Sequence, residues 1–223
     1  MSDHPNCARC GIKLSERLCR TEGGKSPDGC PTKNKADLTR AAVLEYKKDE
    51  NFEFARQASI QESEGYGNKE LGYSRLKPVK PRILETMAFA QKMGYQKLGM
   101  VFCIGLRKEA KVVEKLFSDH GFSMVSAVCK VGCVAKEEIG IKDSQKLAPG
   151  TDEAMCNPIL QAMVLNDEKT EFNILLGLCV GHDSLFFKYA DAPCTVLAVK
   201  DRLLGHNPLA AVYNIDSYYR SLK

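Results

Sequence analysis

Cys7-Ala8-Arg9-Cys10 sets two thiols on one short turn, and Cys19 and Cys30 follow after eight and ten further residues. A C-x2-C turn aims both sulfurs at one ion, and two later cysteines can complete a tetrahedral four-sulfur site. Four thiolates equally suit an iron–sulfur cluster, and a Cys-Pro pair such as Cys30-Pro31 is frequent among cluster ligands. The spacing has neither the second C-x2-C of a zinc ribbon nor the tight ferredoxin run. We read Cys7, Cys10, Cys19 and Cys30 as metal ligands, with a [4Fe–4S] cluster preferred to zinc. His4 is either a substitute donor or a solvated residue.

A second set of thiols is spread through the rest of the chain. Cys103, Cys129 and Cys179 each end a short apolar run, and Cys156 stands just before the helix start Asn157-Pro158. In an open parallel sheet the carboxyl ends of the strands lie along one edge, where ligands bind in the crevice. Cys103, Cys129, Cys156 and Cys179, with His182, therefore form a candidate cofactor or ligand site there. Cys133 lies in the loop beyond Cys129 and is a fifth candidate. Cys194 precedes its strand and belongs to the opposite edge. Cysteine is also a common small core residue, so packing alone accounts for any one of these positions.

One of these thiols has another reading. Gly177-Leu178-Cys179-Val180-Gly181 has the form of a nucleophile elbow with cysteine in place of serine. Cys179 would attack a carbonyl carbon while backbone amides hold the oxyanion. His206 would be the base and Asp201 its orienter, as in a thiol hydrolase or a glutaminase-type amidotransferase.

The elements that must position these groups follow from periodicity. Residues 1–35 lack a regular apolar period and have little with which to build a core, so a metal is the expected organiser. Residues 36–94 read as a helical segment packed on the core: Ala36–Lys48, Phe52–Ile60, and a helix opened by Pro81 and stopped by Gly94. From residue 95 to 223 short apolar runs alternate with amphipathic helices. Strands are expected over Leu98–Ile104, Ser123–Cys129, Phe172–Leu178 and Thr195–Val199. Helices are expected over Lys108–His120, from Asn157 to about Leu165, and over Asp183–Ala190; Asp216 is a candidate start for a last one. A polar loop runs from Cys129 to about Met155. This alternation predicts an α/β fold, a Rossmann-like parallel sheet of about four to five strands with helices on both faces.

Composition bounds the function. The apolar share of 44% across 223 residues is enough for one such domain and an appendage. A net charge of +4, dispersed along the chain, argues against a nucleic-acid partner. The short basic stretch Arg75–Arg82 reads as a solvated connector. No apolar run is long enough to span a bilayer, and no leader-type apolar stretch opens the sequence, so a cytoplasmic location is expected. Ten cysteines in a reducing compartment are metal ligands, reactive thiols or buried thiols rather than disulfides. No GxGxxG or Walker A pattern is present, although a small anionic molecule remains a candidate ligand for the sheet edge.

The stretches FCIGL (102–106), CKVG (129–132), EAMCNPI (153–159), GLCVGHDSLF (177–186) and KDRLLGHNP (200–208) resemble an uncharacterised prokaryotic family. It is a domain of unknown function described as metal-binding, and the N-terminal cysteine motif fits it. Carried over residue by residue, the family's motif cysteines fall on Cys7, Cys10, Cys19, Cys30, Cys103, Cys129, Cys156 and Cys179. The resemblance implies metal binding and no particular reaction. A redox or metal-handling role, with a redox or metal-delivery partner, is the functional expectation. If the N-terminal arm folds back over the sheet edge, the two cysteine sets become neighbours.

Overall fold

The computed structural model describes residues 4–223, so the first three residues of the 1–35 segment lie outside it. The chain divides into two compact units, one ending at Ile60 and one running from Gln61 to Lys223.

In the first unit, 3-10 turns at Cys7–Arg9 and Leu14–Glu16 precede three helices: α1 (Pro31–Asn34), α2 (Ala36–Tyr46) and α3 (Asp49–Glu64). α3 continues across the unit boundary. No residue from 4 to 35 is buried, so the cysteine-rich stretch has no apolar core of its own. α1 was not anticipated; Pro31 stands at its first position, where a missing N–H costs nothing. α2 forms where periodicity predicts it but buries none of its residues.

The second unit opens with β1 (Tyr66–Gly67) and β2 (Lys77–Pro78), an antiparallel pair too short to leave a period in the sequence. Then α4 (Arg82–Lys92), β3 (Lys97–Phe102), α5 (Arg107–Asp119), β4 (Ser123–Val128), α6 (Pro158–Asp167), β5 (Phe172–Leu176), α7 (His182–Tyr189), β6 (Cys194–Ala198) and α8 (Leu209–Tyr213) follow. β3 to β6 form one four-stranded parallel sheet in the order β4-β3-β5-β6, the fold class that the alternation predicts. The tail is helical from Leu209 rather than from Asp216.

Alternation along the strands explains why both sheet faces are covered. Val101, Ala127 and Leu175 form one core with Ala162 and Leu165 of α6 and Phe186 of α7. Leu98, Met100 and Ile174, one residue out of phase, are fully buried too. Phe172 carries the ring of Phe89 from α4 at 5.6 Å. Gly99 lets α6 and β5 close down: a Cβ there would stand 2.1 Å from Asn173 Oδ1 and 2.6 Å from Leu165 Cδ1.

All four strands stop short of their expected runs, β3 and β5 most of all. β3 ends at Phe102, because Ile104–Leu106 winds directly into a 3-10 turn feeding α5. β5 ends at Leu176, because Gly177 takes φ +70° and turns the chain. Cys103 and Cys179 thus sit in the loops just past the strands. α6 begins as expected, with Asn157 Oδ1 accepting the Leu160 N–H at 3.1 Å and Pro158 at the first helical position.

Candidate functional site

The N-terminal cysteines are positioned by backbone and by one arginine. The Cys10 N–H donates to the Cys7 carbonyl at 3.2 Å, closing the C-x2-C turn. Arg17 then donates from Nη2 to the Cys10 carbonyl and from Nε to the Ile12 carbonyl, both at 2.8 Å, which pins the stretch after the turn. Lys25 N–H to Glu16 carbonyl (2.7 Å) and Leu18 N–H to Lys25 carbonyl (2.9 Å) hold the strandlike approach that presents Cys19. Gly24 permits it, since a Cβ there would press on the Arg17–Leu18 backbone at 2.7–2.8 Å. Cys30 stands at the N-cap position of α1, and the Lys33 and Thr32 backbone N–H groups pull its thiol below the usual range.

The result is one hollow of about 540 Å³ whose lining includes Cys7, Cys10, Cys19, Cys30 and His4. Its donor chemistry is that of a soft-metal or cluster site. Among the described residues, however, no group of three or more His, Cys, Asp or Glu side chains is drawn together closely enough to hold a metal ion.

The second set lies at the sheet's carboxyl edge. The chain leaves β3 towards β4, then crosses back to place β5 on the other side of β3. Connections from β3 and β5 therefore part in opposite directions, which opens a crevice between their ends. Cys103 follows β3, Cys129 follows β4, and Cys179 lies in the loop after β5.

Cys156 arrives by a different route. The polar loop after β4 folds back on itself: Ala135 and Ala154 form an antiparallel bridge, the Lys136 N–H donates to the Glu153 carbonyl at 3.0 Å, and Met155 N–H to Val134 carbonyl closes it at 2.7 Å. Lys136 and Glu153 pair across the same closure. The Asn157 N–H then donates to the Cys129 carbonyl at 2.8 Å, which brings Cys156 onto the end of β4.

Cys103 and Cys129 belong to one buried cluster and Cys156 packs against it, so these thiols act on one another. Cys129 is buried, and its thiol is pushed far up by its hydrogen bond with Cys156, then by burial and by the nearby Cys103 sulfur. The Ile104 N–H points at its Sγ from 3.3 Å and pulls the other way. Cys156 is half-buried and is lowered to about 5, first by the hydrogen bond from Cys129, then against its desolvation by Lys130 and His182. Lys130 is itself fixed by donating to the Ala154 carbonyl. Cys179 is pushed up by burial, pulled down by Arg202, and raised again by Cys103 and Cys156. Cys103, Cys129, Cys156 and Cys179 thus share one electrostatic neighbourhood. Cations ring it: Lys130, Arg202, and Lys200, whose Nζ would stand 3.0 Å from a Cβ on Gly105, itself 3.9 Å from Cys103 Sγ.

The remaining candidates fall elsewhere. Cys133 is exposed on the turn after Lys130. Cys194 opens β6 opposite Asn173, and its thiol donates to the Ala192 carbonyl at 3.2 Å. The elbow has its sharp turn, with Gly177 and Gly181 at φ +70° and +84°. The hydrogen bond to Cys179 Sγ, however, comes from Arg202 Nη2 at 2.9 Å, not from an imidazole. His206 Nδ1 accepts the Asp201 backbone N–H at 3.2 Å, while Asp201 Oδ1 accepts from Leu203 and Leu204 N–H. Asp201 and His206 are thereby committed to one self-contained turn. In the sequence Lys130 and Arg202 stand only inside the CKVG and KDRLLGHNP stretches; neither their sulfur partners nor the Cys129–Cys156 pairing left a local signal. No described helix is long and apolar enough to cross a membrane.

A family model for a protein of unknown function, DUF1847, matches residues 30–197. An uncharacterized protein of Methanocaldococcus jannaschii is 40% identical over 213 residues, which is 96% of this chain and 95% of that protein. No solved structure matches.

Proposed function

The chain belongs to the DUF1847 family, and we propose that it is a cysteine-ligated metal protein with a redox or metal-handling role. The observation that carries this reading is the N-terminal hollow: Cys7, Cys10, Cys19 and Cys30 all line it, in a stretch that buries no residue. A segment without an apolar core gains its order from something else, and metal binding is then part of its folding free energy.

Cys7, Cys10, Cys19 and Cys30 are the ligands, with His4 alongside. A bound iron–sulfur cluster would supply one-electron chemistry, whereas zinc would supply structure alone. The Lys33 and Thr32 N–H groups keep Cys30 inclined to the thiolate form that ligation requires. Arg17 holds the C-x2-C turn in place by its two carbonyl contacts. The strand-edge thiols are a second cysteine site, ringed by cations that favour thiolates.

Purification without oxygen followed by elemental analysis tests the assignment. Stoichiometric iron and sulfide with broad sulfur-to-iron absorbance is the expected result; one zinc per chain would keep the site and change its role. Metal-free protein with four readily alkylated N-terminal thiols would remove the reading.

A further inference from the structure

Outside the N-terminal arm, two thiols from the two ends of the β4–α6 connection are brought together at the sheet edge. We infer that Cys129 and Cys156 are a redox dithiol that reduces a disulfide-bearing substrate, with Cys156 attacking and Cys129 resolving.

Geometry carries the assignment. The Asn157 N–H donates to the Cys129 carbonyl at 2.8 Å, which fixes the backbone of one thiol beside the other, and Cys156 packs against the buried cluster that contains Cys129. Cys129 is further tied by its own N–H to the Phe102 carbonyl at 2.9 Å. Cys129 is buried within the core formed by Val101, Ala127 and Leu175, whereas Cys156 is half-exposed. An incoming disulfide therefore meets Cys156 first. Lys130 and His182 beside Cys156 favour its thiolate, which is the attacking species in exchange. The Ile104 N–H aimed at Cys129 Sγ favours a thiolate there when that residue's turn comes.

The steps balance. The Cys156 thiolate attacks one sulfur of the substrate disulfide; a Cys156–sulfur bond forms, the substrate S–S bond breaks, and one substrate half leaves as thiolate with the bond's electron pair. Cys129 gives up its proton, which that departing thiolate ends by taking, and attacks Cys156 Sγ. The Cys129–Cys156 bond forms and the second half leaves as thiolate, protonated from solvent. The substrate disulfide gains two electrons and the protein dithiol loses them; a thiol reductant returns the pair by the reverse sequence.

Oxidised glutathione, titrated against reduced glutathione with the full reduced chain under anaerobic conditions, provides the test. Quenching with iodoacetamide and peptide mass mapping should show one reversible bridge, Cys129–Cys156, with Cys103, Cys179 and Cys194 still alkylated. Cys129→Ser should stall as a glutathione adduct on Cys156, and Cys156→Ser should form neither bridge nor adduct at Cys129. The Cys10→Ser chain, which bears on the metal arm alone, should still form the bridge. Failure of the wild-type chain to bridge these two residues at any glutathione ratio overturns the proposal, as does a bridge from Cys156 to Cys103 or Cys179. Should Cys129→Ser not fold, the wild-type map and Cys156→Ser still decide it.

Discussion

Arg202 Nη2 lies 2.9 Å from Cys179 Sγ, so a guanidinium from the loop after β6 reaches the thiol in the loop after β5. Burial and neighbouring sulfurs push this thiol up, and Arg202 is what opposes them. Arg202→Ala should shift the pH profile of Cys179 alkylation to higher pH and slow the reaction at neutral pH, with Arg202→Lys intermediate. An identical profile in wild type and Arg202→Ala would show the contact to be without electrostatic effect.

The Cys129–Cys156 pair sets a pH dependence with a definite sign. Cys156 is lowered to about 5 from 9.0, so its contribution is fully present above the unfolded value and is lost as pH falls through about 5. Cys129 is raised, so its contribution is present below its ordinary value and fades above it. The reduced protein should gain resistance to denaturant from about pH 5 towards pH 9, then lose it. Cys156→Ser should flatten the rising limb in urea titrations, and alkylation of Cys156 should reach half-maximal rate near pH 5.

Gly177 is tested by size and by conformation together. A Cβ there would stand 2.1 Å from Leu106 Cδ1, at φ +70°. Gly177→Ala should cost about 1–3 kcal/mol from overpacking, and about 1–2 kcal/mol more from left-handed backbone. Gly121→Ala, at φ +90° with nothing within 4 Å, should show the backbone cost alone. Equal denaturation midpoints for the two variants would mean that Leu106 yields freely.

Cys10→Ser removes one of the four N-terminal thiols while leaving the Arg17 contact, which is to the backbone carbonyl. Metal content should fall well below that of wild type. The circular dichroism of the sheet-bearing unit should persist, because its core does not include this segment. Unchanged metal by elemental analysis would count against the ligand assignment.

The α/β alternation, the α6 start at Asn157-Pro158 and the attachment of Cys103 and Cys129 to the carboxyl ends of β3 and β4, one residue beyond each strand, were legible along the chain. Each rests on a local cause: apolar spacing that matches strand or helix, a side chain that caps, a proline that fits a first turn. β1 and β2 were not legible, because two residues cannot show a period. The early end of β5 was hidden in one glycine's φ.

Sequence alone determined which residues carry sulfur, which elements carry those residues, and that the elements alternate into a parallel sheet. Tertiary structure decided that β5 crosses to the far side of β3, that the loop from Lys130 folds back through the Ala135–Ala154 bridge, and so that Cys156 meets Cys129 while Arg202 meets Cys179. Periodicity and capping act within a few residues of chain. The choice among thiols is made by strand order and loop closure, which join residues that no local pattern relates.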